Sequence, residues 1–316
     1  AYLFATGGEK SAGDYAHITK VVFSNTVETV GKYAFYHCYD LKEVQMDSGL
    51  TTIGSYAFGY DTSLSTVSWG KNLANIYGYA FVGDIALKKL ELPGKVTNIN
   101  EYAFSGCTGL TSIDLPASVL SLGNCAFKNC TNVSSITINS DIGDANEYSS
   151  TNGWVDGAGN RYYIDYSVFY NIGTNVDSLT VTFGDGVTNV PAYLFATGGE
   201  KSAGDYAHIT KVVIPSTVTE IGKYAFYNCY NLTEIVYNGD QDSWDTISIG
   251  ENNTSLTDIT PTFGTYEPEP TVPPTPAPTE TPELPPSDVR GDMDGDGKLT
   301  VMDAVIILRL VALDEG

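Results

Sequence analysis

The chain has 316 residues, 42% of them apolar and 17% charged, with a formal net charge of −22. This is ample sequence for a buried core, while the negative field repels phosphate backbones and argues against a nucleic-acid partner. The excess is uneven: residues 1–264 carry 27 acidic and 13 basic side chains, a net −14, and the last 52 residues carry 11 and 3, a net −8.

No apolar run reaches the ~20 residues that cross a bilayer, so no membrane span is expected. Ala1 falls inside a repeat with no methionine, basic region or apolar run before it, the mark of a fragment or a processed chain. Residues 1–22 recur unchanged at 192–213, an internal duplication. Both copies lengthen their repeat with a Gly-rich loop, at 5–17 and 196–208, whose glycine, serine and aspartate make a surface excursion. The histidine ending each loop is expected to be solvated.

From residue 35 a ladder sets in. Phe35, Phe58, Phe81, Phe104 and Phe127 are each 23 residues apart, the signature of a solenoid. Two residues before each anchor stands Tyr33, Tyr56, Tyr79, Tyr102, Cys125 or, further on, Tyr224, and directly before it an alanine. Six residues after the anchor comes a leucine or valine, then apolar residues two apart such as Val44/Met46, Leu90/Leu92, Ile113/Leu115 and Ile136/Ile138. This spacing predicts a short strand with one buried face. The polar residues between, Gln45, Ser68, Glu91, Asp114 and Thr137, are predicted to face water and to tile one continuous sheet surface. Pro93, Pro116 and Pro215 follow the strands, where proline's missing N–H costs least. Each rung then reads as strand, turn, and a compact turn or short helix carrying Ala-Phe, and stacked rungs bury a shared core.

Cys38, Cys107, Cys130 and Cys229 each lie three residues after an anchor. This is a packing position for a small apolar residue; Cys107 and Cys130 sit on adjacent rungs, but a bridge would also need suitable Cβ directions. No histidine holds a fixed relation to any of them. Between Phe127 and Phe169 the step grows to 42, the excess falling near residues 139–163. Here Trp154 with Tyr148, Tyr162 and Tyr163 would suit a sugar or peptide, or else form a hairpin packed on its own stem. The last rung is atypical, as a solenoid's open end requires: Trp244 is its candidate lid, and Asp240, Asp242 and Asp245 read as helix-start and turn acids.

This pattern, over roughly residues 1–264, resembles the BspA-type leucine-rich repeats of bacterial surface and secreted proteins. The resemblance implies a curved, right-handed, β-rich solenoid with short helical turns, used for binding macromolecules and without catalytic residues.

Residues 265–287 form a Pro/Thr/Glu-rich linker with nine prolines between Pro268 and Pro286. Such a tether is extended and semi-rigid, able to span up to roughly 60 Å. Residues 288–316 then carry the one metal motif, beginning at Asp292. Asp292, Asp294, Asp296 and Asp303 occupy loop positions 1, 3, 5 and 12, with Lys298 supplying a carbonyl at 7, Thr300 at 9, and Gly297 at the sharp turn. An EF-hand calcium loop uses these positions, although its twelfth is usually glutamate. Residues 304–313 are apolar except Arg309, and a helix apolar on all sides needs a cover.

Aspartate at position 12 and the preceding Gly-Asp make residues 291–313 similar to the first calcium repeat of a type I dockerin. That resemblance implies a small α-helical, EF-hand-like module with calcium as cofactor and a cohesin module of a cellulosome-type scaffold as partner. Val301, Met302 and Arg309 are the candidate contacts on this side. Gln45, Ser68, Glu91, Asp114, Thr137 and Trp154 are the candidates for a protein or polysaccharide ligand on the solenoid. The expected protein is non-catalytic, secreted and attached at a bacterial cell surface. The rival is a subunit of a polysaccharide-degrading complex with glycoside hydrolase activity in a part outside this chain. That chemistry needs two carboxylates across a cleft, and the acids here are scattered over loops.

Overall fold

Alternating apolar and polar residues build a strand wherever the ladder predicts one. In the computed structural model, which describes residues 17–143, 154–155, 161–162, 167–196 and 207–264, Ser112–Leu115 buries Ile113 and Leu115 and exposes Asp114. The strand pairs in parallel with Lys89–Glu91 before it and Ser135–Ile138 after it. The chain divides into two units, Ala1–Tyr266 and Glu267–Gly316. All the described residues lie in the first; the candidate calcium-ligand residues 292–303, Val301 and Met302 among them, and the apolar stretch with Arg309 lie outside the described residues.

Each rung also has a second strand, which the ladder did not announce. Asn98–Ile99 and its counterparts form a back sheet of five two-residue strands, from Thr29–Val30 to Ser121–Leu122, and a further three from Asn189–Val190 to Ser248–Ile249. The inward residue lies five before the anchor: Val30, Ile53, Ile76, Ile99, Leu122, Val190 and Ile221, all buried. Ten front and eight back strands are thus found among the described residues.

The third side of the rung is the Ala-Phe segment, which is a series of turns; among the described residues α-helix occurs only in the final rung. The reason is a backbone with positive φ twice per rung, as at Tyr102 (55°) and Gly106 (76°), which a right-handed helix cannot absorb. The first of these positions holds Tyr33, Tyr56, Tyr79, Cys125, Tyr193 and Tyr224 in the other rungs, where a side chain costs roughly 1–2 kcal/mol. The twist turns amides and carbonyls along the solenoid axis: Phe35, Phe58, Phe81 and Phe104 donate to Ala57, Ala80, Ala103 and Ala126 at 2.7–2.8 Å. A third ladder runs along this edge and offsets the strain.

Inside it the anchors form one column. Eight phenylalanines, from Phe35 through Phe127, Phe169 and Phe195 to Phe226, stack face to face with ring centroids 5.0–5.6 Å apart. At the column's end Asn253, buried, offers its side-chain Oδ1 to the Phe226 amide at 2.9 Å, standing in for the carbonyl of a missing rung. Tyr237 is covered edge-on by Trp244 at 5.2 Å, and Asp240 caps the helix Gln241–Trp244 by accepting from the Ser243 amide. The lid and the helix-start acid thus stand as the sequence indicated.

Two interruptions depart from a uniform ladder. In the inserted segment Trp154–Val155 pairs antiparallel with Arg161–Tyr162, a hairpin. Before it, Asp141 bridges the gap in the back sheet, accepting from the Thr188 hydroxyl and amide at 2.7 Å and the Asn189 amide at 3.1 Å. Burial alone would raise this carboxyl; those bonds hold it below its ordinary range.

The second interruption corrects the expectation of one continuous sheet surface. The front sheet is split into Lys20–Val22, Glu43–Gln45 and Thr66–Ser68 on one side and seven strands from Lys89–Glu91 onward on the other. No backbone hydrogen bond joins Thr66–Ser68 to Lys89–Glu91, although the back strands of the same rungs pair normally. Trp69 stands here where neighbouring rungs have Met46, Leu92 and Leu115, and its indole meets Phe81 of the next rung edge-on at 5.4 Å. The indole lies half-buried at the joint where these two strands are unlaced.

Phe104 has no exposed surface and lies between two rings of the column. Phe104→Ala should therefore cost about 3–5 kcal/mol, read from urea melts of the wild type and variant; a loss under about 1 kcal/mol would place the ring outside the core.

Candidate binding surface

The front face carries the polar positions singled out from the ladder. Gln45 is paired with Ser68, and Glu91 with Asp114 and Asp114 with Thr137, in successive strands. Ser68, Glu91 and Asp114 are exposed, Gln45 and Thr137 half-buried. The structure therefore brings these five together as two groups, divided at the break between Ser68 and Glu91. Several of these side chains are engaged within the solenoid: Gln45 donates to Glu43 at 2.6 Å, and Asp114 accepts from Asn139 at 3.0 Å. Beside Gln45 and Ser68, a shallow hollow of about 480 Å³ also takes in Val22, Phe23, Asp47 and Lys71. Trp154 stands on the hairpin, away in sequence from both groups.

The turn edge offers a different surface. Tyr33, Tyr56, Tyr79 and Tyr102 stack on one another with centroids 4.6–4.9 Å apart, half-buried, because the positive-φ turn sends each ring along the axis onto the next. Their faces are taken up by each other and only edges and hydroxyls reach water. Burial, then the neighbouring rings, pushes Tyr56 up to about 12 and raises Tyr36, while burial and then Glu101 raise Tyr79, so these phenols stay uncharged and act as neutral donors.

Beside this stack lies an aromatic patch. Tyr36 leans over Gly59 and Tyr60 over Gly83, where an added Cβ would meet the Tyr60 ring at 2.6 Å. Glycine is required at Gly83 both by that approach and by its φ of 75°. His37 stacks on Tyr36 at 4.0 Å and meets Tyr60 edge-on at 5.2 Å, and Tyr39 and Ile85 complete the patch. Tyr39, Tyr60 and Ile85 are 37%, 39% and 51% exposed, so a partner would find apolar rings already fixed in place. The ladder pattern placed its candidates on the front strands and missed this edge. The signal was in the sequence, as aromatic residues just after Phe35 and Phe58 where later rungs have Ser105, Gly106, Lys128 and Asn129.

Two acids also depart from the expected scatter over loops. Asp61 and Asp84 occupy the cysteine position of their rungs, 23 residues apart, and neither has any exposed surface. Asp61 accepts from the Cys38 amide at 2.7 Å and Asp84 from the Asp61 amide at 2.9 Å. Buried in the core, they face no cleft and cannot flank a glycosidic bond. The cysteines of the same column are buried thiols, and Cys107 and Cys130 donate to the carbonyls of Phe81 and Phe104 at 3.1 and 3.2 Å.

Among the described residues no helix is long and apolar enough to cross a membrane. Comparison with known proteins matches the BspA type leucine rich repeat region to residues 9–99, 75–200 and 199–260. No curated protein matches the chain. Among solved structures, a leucine-rich repeat protein of T. pallidum is 25% identical, covering 56% of this chain and 78% of its own, with a TM-score of 0.39. A leucine rich cell surface protein of Faecalibacterium prausnitzii is 22% identical over 75% of this chain and 83% of its own, TM-score 0.32. A leucine-rich repeat protein of Bacteroides ovatus is 19% identical over 78% and 63%, TM-score 0.39.

Burial pushes the thiols of Cys38, Cys130 and Cys229 up to about 12 and raises that of Cys107 well above the ordinary thiol range. Since the thiolate is the reactive form, the native protein should leave a thiol reagent untouched at neutral pH, and the unfolded chain should release all five thiols. Three or fewer after unfolding would reveal a disulfide.

Proposed function

The chain belongs to the BspA type leucine rich repeat family, and from that premise we propose that it is a non-catalytic binding protein of the bacterial cell surface. The solenoid, residues 1–264, recognises a macromolecular partner, protein or polysaccharide. The linker at 265–287 extends it, and the tail at 288–316 docks through calcium onto a cohesin-bearing scaffold. The observation that carries the binding role is the preorganised aromatic patch of Tyr36, His37, Tyr39, Tyr60 and Ile85. Rigid tyrosines supply contact area at little entropic cost, and they recur as anchors in recognition surfaces. A stacked solenoid holds them without paying for the ordering of a loop. The cell-surface setting rests on membership of the family, and the F. prausnitzii protein is itself described as a cell surface protein.

For the tail the support is the motif itself. Asp292, Asp294, Asp296 and Asp303 bring four carboxylates into one twelve-residue loop, with the Lys298 carbonyl and Thr300 at the remaining ligand positions. The calcium supplies the charge that lets these acids converge; without it their repulsion opposes folding of the segment. The apolar residues that follow, Val301 and Met302 included, would then be presented with Arg309 to a cohesin.

Two measurements test the two halves. Tyr39→Ala with Tyr60→Ala should change stability by under about 1 kcal/mol, because both residues are partly exposed. It should weaken capture of the partner found by glycan array or surface-protein panel by about tenfold or more. Undiminished capture would move the site to the front face around Gln45 and Ser68 or Glu91 and Asp114. Calorimetric titration of the full chain should show about one calcium ion bound, lost in Asp292→Ala with Asp296→Ala while the solenoid melts unchanged. Cohesin capture that survives a chelator, or that maps to residues 1–264, would overturn the assignment of the tail.

A further inference from the structure

The break in the front sheet and the buried carboxyl pair fall at the same place. Both lie between the Phe58 rung and the Phe81 rung: Thr66–Ser68 and Lys89–Glu91 are unlaced there, and Asp61 and Asp84 meet across it. This joint is closed on its back by the pairing of Thr52–Ile53 with Asn75–Ile76, and on its turn edge by the amides of Phe58 and Tyr60 donating to Ala80 and Val82. Only the front is open.

Each carboxyl has one oxygen in use. Asp61 Oδ1 takes the Cys38 amide at 2.7 Å, and Asp84 Oδ1 takes the Asp61 amide at 2.9 Å. Asp61 Oδ2 and Asp84 Oδ2 are buried without a partner. The titratable groups packed against the pair are Cys38 on the preceding rung and Cys107 on the following one, both thiols raised by burial and hence neutral. Among the described residues no lysine, arginine or histidine pairs with either acid. Two carboxylates side by side in a dry core would face both the desolvation of charge and mutual repulsion, whereas two carboxylic acids escape the repulsion and face only the smaller cost of burying a neutral polar group.

We propose that Asp61 and Asp84 are held in the acid form in the folded protein and make this joint a proton-controlled hinge, closed while they keep their protons and loosened when they ionise. Burial first, then the neighbouring carboxyl, pushes Asp61 up to about 10, and burial raises Asp84 well above the ordinary range. Unfolded, each would lose its proton near pH 3.9. The folded state therefore binds more protons throughout this window, and stability falls as pH rises from about 4 toward about 10. The binding surface feels the same joint, because the Tyr60 ring lies over Gly83 across it. Loosening the hinge would part the patch residues of the Phe35 and Phe58 rungs from Ile85.

The direct test is infrared spectroscopy of the full chain at pH 7, where the carbonyl band of a protonated carboxylic acid should be present in the wild type and absent in Asp61→Asn with Asp84→Asn. No such band in the wild type overturns the proposal, whatever the variant does. Urea melts from pH 5 to 9 supply the second readout. The folding equilibrium of the wild type should decline relative to the variant by roughly tenfold per pH unit for each carboxyl kept protonated. His37, which burial lowers, gives a slope of opposite sign, and it cancels because both proteins carry it. Over the same range, amide exchange at Val67, Trp69 and Leu90 should accelerate more in the wild type than in the doubly substituted protein. Equal pH slopes, or exchange unchanged at these amides, would show that the joint is not governed by the pair.

Discussion

The spacing between hydrogen-bonded backbones governs this molecule. Parallel strands lie about 4.8 Å apart, and every rung must repeat at that distance on three sides at once. Phenylalanine rings in face-to-face contact come close to the same spacing, which is why one column of eight can run through rungs of 23, 26, 31 and 42 residues. Length differences fall between the positions held in register, and closing a longer connection adds little cost. The core sees only residues that lie in register.

A core built this way constrains each column to one kind of side chain, and its exceptions become informative. Trp69 stands at the joint where the front sheet is unlaced, its indole edge-on to Phe81 of the next rung. Asp61 and Asp84 in a cysteine column put two acids where the neighbouring rungs have thiols donating to carbonyls. Asn253 in place of a rung satisfies the last anchor amide. The first two exceptions fall at one joint and beside the aromatic patch, so the least regular part of the core underlies the most distinctive part of the surface.

The solenoid and the tail answer different physical problems. The solenoid offers rings and polar groups fixed by stacking, a surface whose shape does not depend on a ligand. In the proposed reading the acid-rich tail motif would need an added cation before its carboxylates converge.

The sequence by itself determined the features that period and residue type dictate. A 23-residue step set the solenoid, the buried phenylalanines, the outward polar positions, the packed cysteines and the capping acids of the last rung, because each is a property of one residue repeated in register. The positive-φ turns were legible in part, from Gly83, Gly106, Asn129, Asn171 and Asn228 two residues after their anchors, but not from tyrosines, which seldom adopt that backbone. Tertiary structure alone decided which neighbouring rungs close against one another. Val22 and Val213 end identical stretches of 22 residues, yet Val22 lies on an edge strand and is 63% exposed, while Val213 is flanked by strands on both sides and buried. The split of the front sheet and the meeting of Asp61 with Asp84 are of the same kind. Contact between rungs depends on the volumes facing each other across a gap, and that is a property of pairs of rungs, which no single repeat records.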